Sequence, residues 1–233
     1  MLQVRYAQAR GRGNPMIEWL DSYHTFSFAD YYDPHHMHFS HLRVINEDYI
    51  QPNNGFGTHP HADMEILTYV LNGRVAHKDS MGNATEIAAG EFQIMSAGTG
   101  IYHSEINPSH EDVLHLYQIW IIPNQKGVTP RYAQGKFPDE EGATLILSPE
   151  GEDGAFKIYQ DMRLWRWQLS KDQSAVKNIE LSESRRYWLQ VVKGSLSVNG
   201  IALTTSDALG ISNETALDIQ VSEDTEFLLF DLV

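Results

Sequence analysis

The 233-residue sequence contains no cysteine. Disulfide bonds and thiolate metal sites are therefore excluded, and any bound metal must be held by histidine or carboxylate side chains. Long apolar runs are also missing: no stretch approaches the ~18 residues of a membrane-spanning helix, and the first residues lack the apolar centre of a signal peptide. We therefore expect a soluble cytoplasmic protein without a membrane partner.

Basic residues are scarce. The 17 lysines and arginines are outnumbered by 31 aspartates and glutamates, which gives a net charge of −14. The acidic excess is present in both halves of the sequence. Because an evenly negative surface repels phosphate backbones, the composition argues against direct binding to nucleic acid.

Helical periodicity is confined to a turn or two near residues 172–179. The chain consists instead of short apolar runs rich in β-branched and aromatic residues, separated by Asn-Gly, Gly-Asn and Lys-Gly turn dipeptides. These runs cover residues 66–71, 74–77, 92–95, 114–122, 187–192, 196–198 and 227–232. The pattern predicts an all-β, mostly antiparallel fold, either a sandwich or a barrel.

The sequence repeats one β unit. The segments that begin at Ile66 and Tyr187 share the same plan of strand, glycine turn, strand, hairpin and strand, and Gly73 matches Gly194 at an interval of 121 residues. An internal duplication is the simplest explanation. Proline, glycine and charged residues cluster in residues 123–142, so we predict two domains, 1–130 and 131–233.

Histidine is absent from the second repeat, because all eleven histidines lie at or before His115. Only the first domain can therefore hold a histidine metal site. The positions of the second repeat that align with His59, His61, His103 and Glu105 are Glu180, Ser182, Ile219 and Val221. The second domain is expected to lack metal ligands.

Two short motifs of the first repeat carry potential ligands. His59 and His61 are two residues apart, as are His103 and Glu105, so each pair points to one face of a predicted strand. Pro60 places the first strand at an edge. A single HxH pair is more often structural, but two same-face pairs together predict one divalent transition metal, which could be Fe(II), Cu(II), Mn(II), Ni(II) or Zn(II).

The stretches that contain these pairs resemble a known family. "GTHPHADMEILTYVLNG" and "GEFQIMSAGTGIYHSE", together with "WLDSYHTFSFADYYDP" near the N-terminus, are similar to the pirin family of bicupins, and within it to bacterial pirin-like quercetin 2,3-dioxygenases. The resemblance implies two jelly-roll β-barrels packed face to face, with one metal in the N-terminal barrel. It also implies metal-dependent cleavage of a flavonol by O2 with release of CO.

The family's ligands fall on His59, His61, His103 and Glu105, with Glu105 also a candidate base. The general cupin pattern uses instead a glutamate four residues after its second histidine, which here is Glu65. Strand parity alone leaves Glu65 open as a ligand, a partner of the ligands or a base. The metal favoured by the resemblance is Fe(II) or Cu(II). Phe56, three residues before the first histidine, is predicted to line the substrate pocket.

Three classes of function follow. The first is a dioxygenase that acts on a small aromatic, flavonol-like substrate. The second is a regulatory module whose metal tunes a surface for a protein partner, and the third is a metal-dependent enzyme that does not use oxygen. A monomer is the expected state. Among the other histidines, His77 could line the cavity, but we expect it to face solvent from a hairpin. We expect His115 to lie in the core. The loop histidines could bind metal adventitiously, but we expect them to be solvated; they are His35, His36, His38 and His41.

Overall fold

A computed structural model describes residues 1–171 and 177–233. Over these residues the chain is built almost entirely from β-strands, with 3-10 turns at Ala7–Ala9 and Glu152–Gly154. The strands are β1 (Leu2–Arg5), β2 (Gly11–Arg12), β3 (Leu20–His24), β4 (Leu42–Ile50), β5 (Gly55–His61), β6 (Glu65–Asn72), β7 (Arg74–Asp79), β8 (Ala84–Ala88), β9 (Glu91–Ser96), β10 (Ile101–Ile106), β11 (Leu114–Ile121), β12 (Arg131–Lys136), β13 (Gly142–Ser148), β14 (Phe156–Lys157), β15 (Arg163–Leu169), β16 (Lys177–Glu180), β17 (Arg186–Lys193), β18 (Ser195–Val198), β19 (Ile201–Thr204), β20 (Ala208–Ser212), β21 (Ala216–Val221) and β22 (Thr225–Leu232).

The chain forms two compact units. The N-terminal unit comprises residues 11–137 and 158–160, and the C-terminal unit comprises residues 1–10, 138–157 and 161–233. The sequence analysis placed the boundary between residues 130 and 131. In the structure, β12 pairs with β9 and so remains in the N-terminal unit, while β1 pairs with β20 in the C-terminal unit.

Two antiparallel sheets build the N-terminal unit. One has the strand order β12-β9-β6-β11-β4-β3-β2 and the other the order β5-β10-β7-β8. Strands β6 and β11 are almost wholly buried, as expected of runs rich in leucine, isoleucine and valine. Strand β5 lies at the edge of its sheet, which confirms the position predicted from Pro60.

The interior of the N-terminal unit changes from apolar to polar along its strands. On β4, Ile50 belongs to an apolar cluster, whereas Asp48, two residues earlier on the same face, is polar and buried. On β11, Leu116 belongs to the same apolar cluster and Gln118 is buried and polar. On β6, Val70 is in the cluster and Thr68 is buried and polar. Because these residues are neighbours in the strand register, one end of the interior is lined by polar groups.

The C-terminal unit repeats this strand arrangement. Its sheets have the orders β1-β20-β17-β22-β15-β13-β14 and β16-β21-β18-β19, and the second matches β5-β10-β7-β8 strand for strand. This correspondence is what the predicted duplication requires. Strand β21, the counterpart of β10, places Leu217 and Ile219 in an apolar core. Strand β21 therefore places apolar side chains inside this repeat where β10 carries polar groups.

The prediction of a helical turn near residues 172–179 was wrong for residues 177–179. The helical turn expected near residues 172–179 falls partly on residues 172–176, which lie outside the described residues, and Lys177–Glu180 is strand β16. No helix in residues 1–171 and 177–233 is long and apolar enough to cross a membrane.

Candidate metal centre

Strands β5 and β10 are neighbours and carry the two predicted pairs of ligands. His59 lies directly opposite His103 in the antiparallel register, and His61 lies opposite Ile101. The register then shifts, so that Glu105 is opposite Phe56. The pairing brings the three histidines to one place, and the bulge separates Glu105 from them along the strand.

A glycine permits this close approach. A Cβ atom built at Gly55 would lie 2.3 Å from the carbonyl oxygen of Glu105, which is far inside contact distance. Gly55 also has a φ of +155°. The missing side chain therefore lets the start of β5 lie against β10 beside Glu105.

The three imidazoles form a tight cluster. Their ring centroids are 4.8 Å apart for His59 and His61, 4.5 Å for His59 and His103, and 4.9 Å for His61 and His103. Nε2 of His103 lies 3.0 Å from Nε2 of His59, and Nδ1 of His59 lies 2.7 Å from the carbonyl oxygen of Gly57. If Nδ1 of His59 donates to that carbonyl, its Nε2 lone pair is directed at the cluster.

Burial favours the neutral form of two of these imidazoles, His61 and His103. Desolvation, reinforced by the neighbouring His59, lowers the pKa of His61 to about 4. Desolvation and the other histidines lower the pKa of His103 to about 3, with Asp79 opposing. Unprotonated imidazoles at neutral pH retain the lone pairs that a metal ion requires.

Glu105 is enclosed by hydrogen-bond donors. The Oγ1 of Thr68 donates to its carboxylate over 3.2 Å, and the side-chain amides of Gln93 and Gln118 donate to its two oxygens. Gln93 is fixed in turn, because the Tyr132 hydroxyl donates to its Oε1 over 3.0 Å. Burial raises the pKa of Glu105 to about 7, although the three donors favour the charged form.

Glu65 lies away from this group. Its carboxylate accepts a hydrogen bond from Ser96 Oγ at 2.9 Å and one from the backbone amide of Tyr159 at 3.4 Å, and it is 3.9 Å from a guanidinium nitrogen of Arg131. Burial raises its pKa, while these partners oppose the change. The parity argument from His61 required one continuous strand, but β5 ends at His61 and β6 begins in the other sheet.

The histidines open onto a cavity of about 240 Å³. Phe56 lines it, as does Trp120, whose ring meets the His61 ring at 4.9 Å and 83°. The full set of lining residues is Phe28, Asn46, Asp48, Phe56, His59, His61, Ile66, His103, Glu105, Gln118 and Trp120. Aromatic walls with a few converging polar groups are typical of a small-molecule site.

Asp48 is a second buried carboxylate of the cavity, and it was not predicted from the sequence. Burial raises its pKa to about 7, a change that the hydrogen bond from Ser22 opposes and the neighbouring Glu47 supports. Ser22 Oγ also lies 2.8 Å from Nε2 of His24. A hydrogen-bonded chain of carboxylate, hydroxyl and imidazole thus begins at the cavity wall.

The remaining histidines have other environments. The prediction that His77 faces solvent was wrong: it is 2% exposed and lies 5.4 Å from the ring of His103. His115 lies on the central strand β11, half-buried, with Nε2 2.9 Å from Glu47 Oε1. None of the loop histidines at positions 35, 36, 38 and 41 belongs to a potential metal-binding group within the described residues.

The residues present fit a divalent transition metal. Potential ligand atoms of His59, His61 and His103 all lie within 4.8 Å of one another, and Glu105 lines the same cavity. Among the described residues, no lysine or arginine lines it, so no fixed positive charge opposes a cation. Imidazole nitrogens with one carboxylate are ligands for iron, copper, nickel, manganese and zinc.

Comparison with known proteins agrees with this geometry. Residues 3–121 match the family model described as Pirin. The chain belongs to the pirin family. Residues 145–232 of this family member also match a model described as the quercetinase C-terminal cupin domain.

Relatives align over the full length of this pirin. A protein of Pasteurella multocida is 66% identical over 100% of both chains. The quercetin 2,3-dioxygenase of Escherichia coli K12 is 57% identical over 100% of this chain and 99% of its own. The crystal structure of the bacterial pirin YhhW of Escherichia coli in complex with nickel(II) is 56% identical, covers 100% of this chain and 99% of its own, and has a TM-score of 0.95. The fold is thus that of a metal-dependent protein with two cupin domains.

Proposed function

We propose that this protein is a metal-dependent dioxygenase that cleaves a flavonol such as quercetin with O2 and releases CO. The observation that carries the proposal is the cluster of three histidines that lines a cavity together with a buried carboxylate. The name of the relative from Escherichia coli K12, quercetin 2,3-dioxygenase, supports this choice of reaction.

His59, His61, His103 and Glu105 would hold the metal, and Fe(II) or Cu(II) are our first candidates. The nickel(II) complex of YhhW supports testing nickel as well. When bound, a divalent metal lowers the pKa of a coordinated hydroxyl and brings substrate and dioxygen together. One O2 enters and one CO leaves, so the reaction needs no external reductant.

The cavity walls would hold the substrate. Phe56 and Trp120 offer aromatic faces for a planar ring system, and Phe28 packs edge-on against Trp120 at 5.3 Å. The polar end of the cavity, with Gln118 and Asn46, offers donors and acceptors to the hydroxyl groups of a flavonol. The walls would also exclude bulk water from the reacting atoms.

Glu105 would accept the proton of the flavonol 3-hydroxyl. Its pKa is about 7 in the metal-free protein, so this carboxylate can take up a proton near neutral pH. Asp48, with a similar pKa and a place in the same cavity, would be the second acceptor. Glu65 would have a structural role, because its carboxylate is engaged outside the cavity.

The test is oxygen uptake with quercetin on protein stripped of metal and reconstituted separately with Fe(II), Cu(II), Mn(II), Ni(II) and Zn(II). We expect uptake of one O2 and release of one CO per quercetin with at least one metal. Absence of uptake with every metal, in protein that binds one equivalent, would refute the proposed reaction and favour the regulatory alternative.

Matched variants assign the residues. His61→Ala should lower activity by at least about 100-fold, because a ligand is expected to matter more than the outer partners whose loss costs about 10- to 100-fold. His115→Ala, a half-buried histidine of the same unit outside the cavity, should leave activity unchanged. Glu105→Ala should likewise reduce activity far more than Glu65→Ala.

A further inference from the structure

A second group of potential ligands adjoins the cavity, with His103 and Glu105 in the cavity wall and His77 beside them. Potential ligand atoms of His77, His103 and Glu105 also lie within 4.8 Å of one another, and all three residues are buried. Glu105 pairs directly with His77 in the register of β10 and β7. The group therefore shares two residues with the proposed metal site but includes a histidine that the proposed function does not use.

The ring of His77 is oriented as a ligand would be. Its Nε2 lies 3.2 Å from Oδ2 of Asp79, so the carboxylate accepts the proton of this nitrogen and Nδ1 keeps its lone pair. Metal-binding histidines commonly donate their other ring N–H to a carboxylate in this way. Within residues 1–171 and 177–233, Nδ1 of His77 is buried and has no hydrogen-bond partner.

Asp79 is fixed firmly enough to hold this orientation. It accepts hydrogen bonds from the backbone amide of Met81 at 2.9 Å, from the backbone amide of Asn83 at 3.0 Å and from the side-chain amide of Asn83 at 2.7 Å. Burial raises the pKa of Asp79, but the bonds from Asn83 and His77 outweigh it, so the pKa lies below its ordinary value. The carboxylate that receives the imidazole proton is therefore charged.

Packing restrains the imidazole further. The ring of Tyr132 stacks on that of His77, with centroids 4.6 Å apart and planes 24° from parallel. His103 likewise has a buried Nδ1 without a hydrogen-bond partner among the described residues, while its Nε2 faces His59. Two buried ring nitrogens without hydrogen-bond partners are costly in a folded protein, and a cation bound by unprotonated nitrogens would relieve that cost.

We propose that His77, His103 and Glu105 form an inner position for a divalent transition metal, an alternative to the outer position of the proposed function, which His59, His61, His103 and Glu105 would form. Because the positions share His103 and Glu105, one ion occupies one of them at a time. The inference rests on the proposed function only in requiring a divalent metal in this cavity, and it does not depend on the reaction.

The test uses cobalt(II), whose visible absorption spectrum reports its ligands, and measures binding without substrate or oxygen. The background is the full chain with His59→Ala and His61→Ala, which removes the outer position. We expect this variant to bind one equivalent of cobalt(II). Adding His77→Gln should weaken binding by at least about tenfold and change the spectrum, whereas adding His115→Gln should do neither.

The control is matched in chemistry. His115 also places Nε2 on a carboxylate, Glu47, in the same unit, but it belongs to no potential metal-binding group in the described parts of the chain. Failure of the double variant to bind cobalt(II), or equal effects of His77→Gln and His115→Gln, would overturn the inner position. If the double variant does not fold, His77→Gln and His115→Gln are compared instead in the single variant His61→Gln. Equal effects of the two substitutions on cobalt(II) binding would again overturn the inner position.

The result is separable from the proposed function. Retained cobalt(II) binding through His77, in a protein that shows no oxygen uptake with quercetin, would support the inner position and refute the dioxygenase. Oxygen uptake by the wild-type chain, together with loss of all cobalt(II) binding in the double variant, would support the dioxygenase and refute the inner position.

Discussion

The buried carboxylate of Asp48 makes a quantitative prediction about stability. Its pKa is raised from 3.8 to about 7, chiefly by burial. Between these values the folded state binds a proton that the unfolded state releases. The free energy of unfolding of the metal-free protein should therefore fall as pH rises through this window.

The size of the effect follows from the pKa values. A difference of about three pKa units, at 1.36 kcal/mol for each, corresponds to about 4 kcal/mol of stability lost between pH 4 and pH 8. Asp48→Asn removes the titrating group while keeping an oxygen for the Ser22 hydroxyl. Relative to wild type, the variant should gain up to about 4 kcal/mol at pH 8 and much less at pH 4.5.

The assay is urea unfolding of metal-free protein, followed by circular dichroism at pH 4.5, 6 and 8. Glu86→Gln, at an exposed position of strand β8, is the control for removal of a carboxylate, and its stability difference from wild type should change with pH far less than that of Asp48→Asn. Any steric cost of the asparagine is independent of pH. Only the change with pH in the stability difference between Asp48→Asn and wild type therefore tests the prediction. The same stability difference for Asp48→Asn at pH 4.5 and pH 8 would refute the reasoning.

Three further predictions concern the same cavity. Gln118→Leu removes a donor to the Glu105 carboxylate, so its pKa should rise and metal affinity at pH 7, measured by competition with a chelator, should fall about 10- to 100-fold. Gly55→Ala should lower the free energy of unfolding by about 2 kcal/mol or more, measured by urea unfolding, because its Cβ would collide with a backbone oxygen. Copper(II) should quench the fluorescence of Trp120, whose ring meets His61, and Trp120→Phe should abolish that part of the quenching.

Much of the site depends on local rules that can be read in the sequence. The two-residue spacing of His59 and His61 places both on one face of a strand, and Pro60 between them requires an edge. The structure has both features, because β5 is an edge strand that pairs with β10. The repeat also predicts that two similar units follow one another, as observed.

The alternation of side chains along a strand also accounts for the inward orientation of His77. Strand β7 alternates between exposed and buried residues, and Val75, His77 and Asp79 share its buried face. A histidine two residues and an aspartate four residues after a buried valine are therefore expected to point inward. The turn residues that flank the hairpin suggested exposure, but they determine only where the strands end.

Glu65 and Asp48 required knowledge of the three-dimensional structure. Parity relates His61 to Glu65 only if the strand continues, but the chain turns between them at Asp63, which has a φ of +49°. For Asp48, the run Asn46, Glu47, Asp48 inside an apolar strand was a usable signal of buried polar groups. The pairing of β4 with β11 decides which of these three residues faces the histidines. The sequence alone does not determine that pairing.

The two repeats show what a polar interior costs this fold. In the C-terminal unit, β21 packs Leu217 and Ile219 into an apolar core. In the N-terminal unit, the corresponding strand carries His103 and Glu105, and Asp48 lines the same cavity. Two buried carboxylates with pKa values of about 7 repel each other when both ionise, and neutral imidazoles do not compensate them.

A divalent cation would compensate both charges, so metal binding and stability should be coupled most strongly at high pH. A cation at 100 times its dissociation constant adds about 2.7 kcal/mol to the free energy of unfolding. Because metal and protons compete for Glu105, that gain should grow from pH 5 to pH 8. Thermal unfolding with and without nickel(II) at the two pH values measures it, and a gain independent of pH would show that the metal binds without this carboxylate.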